Sequence, residues 1–465
     1  MSKPTSKMSN LGTRDLAAVF HPMTQISTLN EQGPMMIVRG EGIHVWDEEG
    51  KQYIDGLAGL WCASLGYANE EIAEVAYQQV RTLSYGHLFL DKSHTTAMEL
   101  AEKLKTMVPG GFSKVFFGLS GSDANDTQIK LVRYYNNAIG RPRKKKIIAR
   151  QKAYHGITFA AASATGLQPF HQGFDLPVEG FLHTDCPHYY RFAEPGESEE
   201  AFATRLAGNL EALILQEDPD TVAAFIAEPI MGAGGVLVPP ATYFDKIQQV
   251  LRKYDVLFIA DEVITGFGRT GNPFGAQTFD LEPDTMSLAK ALTSAYMPLS
   301  AVMIPEKIYQ AIAEISKEWG IFGHGFTYTG HPVSTAVGLK VLEIYERDDL
   351  FAKAARLGEQ FQANIARFAD HPLVGEVRGR GLIGACELVA NKTTGQAFDP
   401  ASAVGKYALA RMKANGLICR AIGDSLALCP PLVTSQDELG EIFTRYGRAL
   451  DETLEWVRRE GLLAA

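Results

Sequence analysis

An uninterrupted apolar run, Val256-Leu257-Phe258-Ile259-Ala260, ends on an acid, Asp261. A strand apolar at every position has both faces buried, which requires covering layers above and below. Runs of the same kind recur through the middle of the chain. The pattern predicts strands over 115–117, 146–149, 221–227, 256–261, 286–288 and 299–304, with helices over 123–137, 200–216 and 241–254 between them. Alternation of this kind predicts an α/β fold built on a mainly parallel sheet with helices on both faces. Ligands of such sheets sit beyond the carboxyl ends of the strands. Ser120, Glu228 and Asp261 all fall just after strands, so they can converge on one rim.

The flanks read differently. Residues up to about Leu11 look loose and polar, and 42–55 reads as a β-hairpin turning at Glu48-Glu49-Gly50. A helix is expected over 70–83. Beyond Gly338 the pattern changes to helices over 339–345, 351–368 and 403–415, strand-rich segments over 374–387 and 417–428, and a closing helix over 436–459. The expected organisation is an N-terminal segment, 1–65, packing on a C-terminal α+β domain, 336–465, with a large domain, 66–335, between them.

Composition narrows the classes. The chain has 465 residues, 46% of them hydrophobic and 21% charged, with a formal net charge of −10. A net acidic surface does not favour nucleic acid or an anionic membrane. The basic run 141–146 leads directly into a strand and reads as a solvated approach to it. Five scattered cysteines without a C-x-x-C pair suggest neither a disulfide framework nor a structural zinc site, and no metal is expected. A reducing cytoplasm fits. The polar start, 1–14, lacks the apolar stretch of a signal peptide, and no apolar segment is long enough to span a bilayer.

Three groups carry chemistry. Gly118-Leu119-Ser120-Gly121-Ser122-Asp123 joins a strand to a helix, where glycine allows close approach and the helix end offers free N–H groups to a phosphate. Plain helix capping would use the same residues. Asp261, partly desolvated, calls for a cation; a protonated pyridine nitrogen would serve, as would a salt bridge. Lys290, in the apolar setting Leu288-Ala289-Lys290-Ala291-Leu292, can condense with an aldehyde unless it is an ordinary surface lysine. Tyr154, in Tyr154-His155-Gly156, could lie flat on a ring or simply pack, and His155 could stack or satisfy a loop. A phosphate cradle, a buried-strand acid and a later lysine are together what pyridoxal 5′-phosphate (PLP) requires. The rival is Gly266-Phe267-Gly268-Arg269-Thr270-Gly271, which matches the dinucleotide pattern G-x-G-x-x-G. A nucleotide-binding dehydrogenase or binding module would use it, but Asn272-Pro273 cannot open the helix that pattern needs.

The segment from Asp261 to Gly271 followed by Ser287-Leu288-Ala289-Lys290 closely resembles the signature of the class III (ω-) aminotransferases, PLP-dependent enzymes of fold type I. Ser120-Gly121-Ser122, Tyr154-His155-Gly156, Glu228-Pro229-Ile230 and the block from Gly325 to Pro332 are similar to further blocks of that family. The resemblance implies a large domain on a seven-stranded type of sheet. It implies that Lys290 binds PLP covalently, Asp261 pairs with the ring nitrogen, Val263 packs under the ring, and Tyr154 covers its other face. Gly121 and Ser122 would bind the phosphate, joined by Thr327 of the neighbouring subunit in a homodimer or homotetramer with shared sites.

Substrate positions resemble the amine:pyruvate branch. Ala233 stands where relatives that use 2-oxoglutarate usually have a glutamate, and Ile264 where many have glutamine. Trp61, Leu60, Phe89 and Ile264 would line an apolar pocket, and Arg420 would clasp a substrate carboxylate. Ala291 replaces the family's usual glycine, so the Lys290 loop is expected to sit slightly differently. The implied reaction is ping-pong transfer of an amino group from a primary amine, diamine or β- or ω-amino acid donor to a keto acid, pyruvate, giving alanine. A PLP-dependent aminomutase or racemase on the same scaffold is the alternative, and a silent PLP-binding regulator a further one.

Overall fold

The computed structural model describes residues 9–464; the expected loose start falls partly on 1–8, outside the described residues. From Ser9 onward that expectation is corrected. Asn10–Ala18 is a helix, capped by the Ser9 hydroxyl, which accepts from the Gly12 N–H at 2.9 Å. Gly12 is its only buried residue, and a helix that buries almost nothing need carry no apolar stripe.

The large sheet has seven strands, in the order Lys114–Gly118, Ser300–Ile304, Thr285–Leu288, Leu257–Asp261, Val222–Ala227, Lys146–Arg150, Phe181–Thr184. Ser300–Ile304 runs antiparallel to both its neighbours, and every other pairing is parallel. Val222–Ala227 and Leu257–Asp261 are buried at every position, which is why their sequences show no alternation. Helix Gly121–Ala138 packs against the Thr285–Leu288 and Ser300–Ile304 strands, while helices Glu199–Gln216 and Tyr243–Lys253 pack together. The edge strand Phe181–Thr184 was not foreseen; its sequence, Phe-Leu-His-Thr, is short and half-buried and has no period of two.

The hairpin forms as His44–Asp47 and Gln52–Asp55, extended by Ile37–Glu41 on one side. On its other side the short strand Leu417–Ile418 pairs in parallel with Gln52–Asp55, with Ile418 opposite Asp55. A second sheet holds Val374–Arg380, Ile383–Leu388, Ser425–Leu428 and Arg420–Ile422, all antiparallel. The helix expected from Leu339 begins earlier, at Pro332, where the His331 side chain caps it. Its first turns, Pro332 to Gly338, are buried all round, and a helix without a polar face has no detectable stripe. Helix Gln436–Arg459 runs unbroken behind a reciprocal Ser435–Glu438 cap. No helix among the described residues is long and apolar enough to cross a membrane, and the five cysteines are unpaired.

The Gly266–Gly271 turn lies between the large sheet and the C-terminal elements. Arg269, 2% exposed, donates from Nη1 to the carbonyls of Leu382 (3.0 Å) and Pro430 (2.6 Å), and its own carbonyl accepts from the Leu382 N–H at 2.9 Å. A Cβ on Gly381 would stand 2.4 Å from the carbonyl carbon of Thr270. Nothing as wide as a pyrophosphate fits between surfaces this close, which removes the dinucleotide reading. Replacing Arg269 by Ala strands two buried carbonyls, so Arg269→Ala is expected to cost about 3 kcal/mol of stability, seen as a lower urea midpoint.

Candidate active site

The parallel strands deliver their following residues to one rim, around a cavity of about 720 Å3. Lys290 lies two residues beyond Thr285–Leu288 and enters a tight turn, Lys290–Leu292, with φ of +47°. This left-handed conformation is uncommon for a long side chain. The turn is held from behind by the Tyr345 hydroxyl, which donates to the Ala291 carbonyl at 2.7 Å. Ala291 itself is not at positive φ, so alanine meets no backbone penalty there. Burial pulls the Lys290 amine below the usual lysine value, and the charges of Asp261, Cys62 and Glu228 draw it part of the way back.

Asp261 is 3% exposed. Its Oδ2 accepts from Asn125 Nδ2 at 2.7 Å and pairs with His155 Nδ1 at 2.8 Å. Its Oδ1 accepts from the Val263 N–H at 3.1 Å and keeps a lone pair toward the cavity. The Asn125 amide also donates to the His155 carbonyl at 2.7 Å, so its orientation is fixed. Carboxylate, amide and imidazole therefore form one rigid unit.

On the opposite rim helix Gly121–Ala138 begins. The Ser120 hydroxyl is spent on the Asp123 N–H, and the Asp123 carboxylate accepts from the Leu119 and Ser120 amides and from the Ser300 hydroxyl at 2.9 Å. Capping is thus the work of Ser120 and Asp123, and the open helix-end amides are those of Gly121 and Ser122. Close approach is compulsory here: a Cβ on Gly121 would lie 2.9 Å from Val263 Cγ1, and one on Gly156 2.7 Å from Ser122 Cα.

The remaining lining residues divide by polarity. Tyr154 meets Phe170 edge to face, ring centres 5.3 Å apart, and burial pushes its hydroxyl up. Trp61 is buried at φ of +65°, in a loop pinned by Asp55, which accepts from the Leu57 N–H (3.0 Å), the Gly59 N–H (2.5 Å) and the Tyr67 hydroxyl (2.7 Å). Leu60, Val263 and Ile264 add apolar surface, and Ala233 faces the same space. Arg420 enters from the strand Arg420–Ile422; burial lowers its basicity, and among the described residues it has no carboxylate partner. Phe89 and Thr327 do not line this chain's cavity. Both are exposed, on neighbouring stretches: a Cβ on Gly325 would meet the Phe89 ring at 2.8 Å, and the Thr327 carbonyl accepts from the Tyr85 hydroxyl at 2.9 Å.

A second hollow, of about 600 Å3, holds His188, Glu376 and Arg378. His188, Glu376 and Glu387 lie close enough together for a metal ion, but Arg378 Nη1 already donates to both carboxylates, at 2.5 and 2.7 Å. A bound guanidinium leaves that cluster no need of a further cation.

The family model for aminotransferase class-III matches residues 26–450. Gamma aminobutyrate transaminase 1, mitochondrial, from Solanum lycopersicum is 51% identical over 90% of this chain and 82% of that protein. Vanillin aminotransferase from Capsicum chinense is 50% identical over 91% of this chain and 93% of its own length. The crystal structure of the omega transaminase from Pseudomonas jessenii in complex with PMP superposes with a TM-score of 0.95 at 53% identity, covering 97% of this chain and 99% of that one.

The chain belongs to the class III aminotransferases. These are fold type I enzymes that use PLP, and the cavity fits that cofactor. Asp261 offers a buried anion with a free lone pair, Lys290 an amine whose burial favours the uncharged form, and the Gly121–Ser122 helix end a cradle that a side chain at either glycine would fill. Three buried polar atoms of residues lining the cavity have no hydrogen-bond partner: Asn125 Oδ1, His155 Nε2 and Glu228 Oε2.

Asn125 and Cys62 are not singled out in the sequence, and Glu228 only as a rim position and as part of the Glu228-Pro229-Ile230 block, with no role assigned. Asn125 sits mid-helix, where nothing local separates it from a solvated asparagine. Glu262, beside Asp261, proves structural. It is fully buried and accepts from the Thr265 hydroxyl, the Gly275 N–H (3.0 Å) and the Ala276 N–H. Burial pushes its carboxyl up to about 7, against the pull of those bonds. The folded chain then holds a proton that the unfolded chain has released between pH 4.5 and about 7, so this group's contribution to stability falls as pH rises through that window. Glu262→Gln is expected to remove about 3 kcal/mol of that pH-dependent loss, checked by urea unfolding of the apo-protein across the window.

Proposed function

We propose that this aminotransferase moves an amino group from a primary amine, a diamine or a β- or ω-amino acid to pyruvate, in two half-reactions that share one cavity. The observation that carries this reading is Arg420, a half-buried guanidinium without a carboxylate partner, set among the apolar side chains of Trp61, Leu60 and Ile264. A cation in such surroundings favours a small carboxylate, and its long stem can swing aside for an uncharged amine. Ala233 brings no second acid to neutralise it. The relatives named for gamma aminobutyrate and vanillin support donors and acceptors that lack an α-amino acid's geometry.

PLP supplies an aldehyde for the donor nitrogen and a cationic ring that withdraws electrons from the donor carbon. The side chains divide the remaining work. Lys290 Nζ would hold the cofactor at rest and would be the base that accepts a proton from the donor carbon. Asp261 keeps the ring nitrogen protonated, with Asn125 and His155 fixing its carboxylate. Tyr154 and Val263, which both line the cavity, would cover the two faces of the ring. Gly121 and Ser122 bind the phosphate. The exposed Thr327 loop supports a homodimer in which Thr327 of one protomer completes the cradle of its partner, with Phe89 beside it as a wall of the shared pocket.

A panel of amine donors run with pyruvate and with 2-oxoglutarate tests the reading. Turnover is expected with pyruvate and not with Lys290→Ala; a clear preference for 2-oxoglutarate overturns the acceptor assignment. Arg420→Ala removes one charged partner of the acceptor. It is expected to raise KM for pyruvate ~10- to 100-fold while changing KM for an uncharged arylalkylamine less than ~3-fold. Equal losses for both substrates would assign Arg420 to the scaffold.

A further inference from the structure

Glu228 follows the fully buried strand Val222–Ala227 and projects into the cofactor cavity, 5% exposed. Its Oε1 accepts from the Tyr154 N–H at 3.4 Å, which places the carboxylate beside the Tyr154–His155 peptide. Its Oε2 has no hydrogen-bond partner. Behind it lies Arg150, wholly buried. Arg150 Nη2 donates to the Glu228 backbone carbonyl at 2.5 Å and stands 3.7 Å from Oε2, while its Nε and Nη1 are unpartnered. Glu228 Oε2 is the only carboxylate oxygen within ion-pair distance of this guanidinium among the described residues.

Basic groups outnumber acidic ones around it. His155, Lys290 and Arg150 all act on this space, and the cofactor ring adds a further cation when bound. Asp261 is the other buried acid here, and its Oδ2 is already committed to Asn125 and His155. Burial pushes the Glu228 carboxyl up to about 7; His155 and Arg150 draw it down, Asp261 pushes it up, and the Tyr154 N–H draws it down. Lys290 and Cys186 also feel its charge, and His183 feels that of His155.

We propose that Glu228 is the second counter-ion of the cavity: a positioning residue whose carboxylate, backed by Arg150, faces His155 and Lys290 and holds the positive charge that Asp261 alone leaves uncompensated. This rests on the PLP reading of Lys290. Asp261 fixes the ring nitrogen; Glu228 sets how readily the lysine end of the cofactor gives up its proton. Removing a nearby anion makes every neighbouring cation a stronger acid.

The test is a spectrophotometric pH titration of the holoenzyme's near-visible band, with borohydride trapping on Lys290 as the control and PLP binding to the apo-protein as a second readout. Glu228→Gln keeps the shape and removes the charge. Its midpoint is expected to fall by about one pH unit, a roughly tenfold change in the proton equilibrium, and PLP is expected to bind ~10-fold more weakly. Glu228→Asp is expected to stay near wild type, because a carboxylate and not a shape is required. An unshifted or raised midpoint in Glu228→Gln overturns the proposal. Should that variant fail to fold, infrared titration of the wild-type holoenzyme decides, with the Glu228 band assigned by its displacement in Glu228→Asp. A carboxylate ionised at about pH 8 supports the proposal, and a protonated carboxyl there overturns it. Wild-type protein without a trapped Lys290 adduct sinks the PLP reading and the inference with it; a trapped adduct with an unmoved midpoint sinks the inference alone.

Discussion

The site depends on a carboxylate kept ionic inside the protein. An anion at the end of a fully buried strand loses its hydration, and only fixed donors and a cation offset that loss. Asp261 receives its donors from separate parts of the sheet. Asn125 rides on the helix after Lys114–Gly118, and His155 follows Lys146–Arg150. Leu257–Asp261 lies between those two strands in the sheet order, flanked directly by Thr285–Leu288 and Val222–Ala227, so residues that follow strands on either side of it can reach it. The remaining demand, for a cation, is one that a protonated pyridine ring would meet. The strand order and the cofactor's charge are therefore two sides of one constraint.

The substrate side is set by a different contact. Ile418 pairs with Asp55 in the parallel strand addition between Leu417–Ile418 and Gln52–Asp55. Asp55 leads into the loop that presents Trp61, and Ile418 lies two residues before Arg420. One register thus aligns the Trp61 loop and Arg420, both of which line the cavity, although they stand at opposite ends of the chain. A slip by a single residue would reverse which side chains face the cavity on both segments. The Asp55 carboxylate then holds two amides and the Tyr67 hydroxyl, which prevents the Trp61 loop from relaxing.

Much of this was legible in the chain. The strands with both faces buried announce themselves as unbroken apolar runs, and the acid and lysine beyond two of them are conspicuous because charge is rare in that setting. The order of strands, and hence the meeting of Asn125 with Asp261, is a long-range matter that no local pattern encodes. Helices escaped notice when one face did not contrast with the other in burial: Asn10–Ala18 is exposed almost throughout, and the start of Pro332–Arg347 is buried throughout. Gly266–Gly271 misled for a related reason. Its glycines serve close packing between two layers, with Gly268 and Gly271 at positive φ, and spacing alone does not separate that use from a phosphate loop.

Left-handed backbone away from the cavity often falls on short polar residues at turns, such as Asp218, Asp255, Asp280, Asp349 and Ser402, which tolerate it. Lys290 and Trp61 are not of that kind. Each such residue costs on the order of 1–3 kcal/mol unless its surroundings hold it, and here they do so by identifiable bonds. Tyr345 fixes the Lys290 turn through the Ala291 carbonyl, and Asp55 fixes the Trp61 loop. In both cases the backbone aims the side chain, and no hydrogen bond of the side chain's own is needed. A lysine positioned in this way could leave a covalent partner and return while the fold around it stays still. That freedom is what the proposed roles of Lys290, first anchor and then proton carrier, would require.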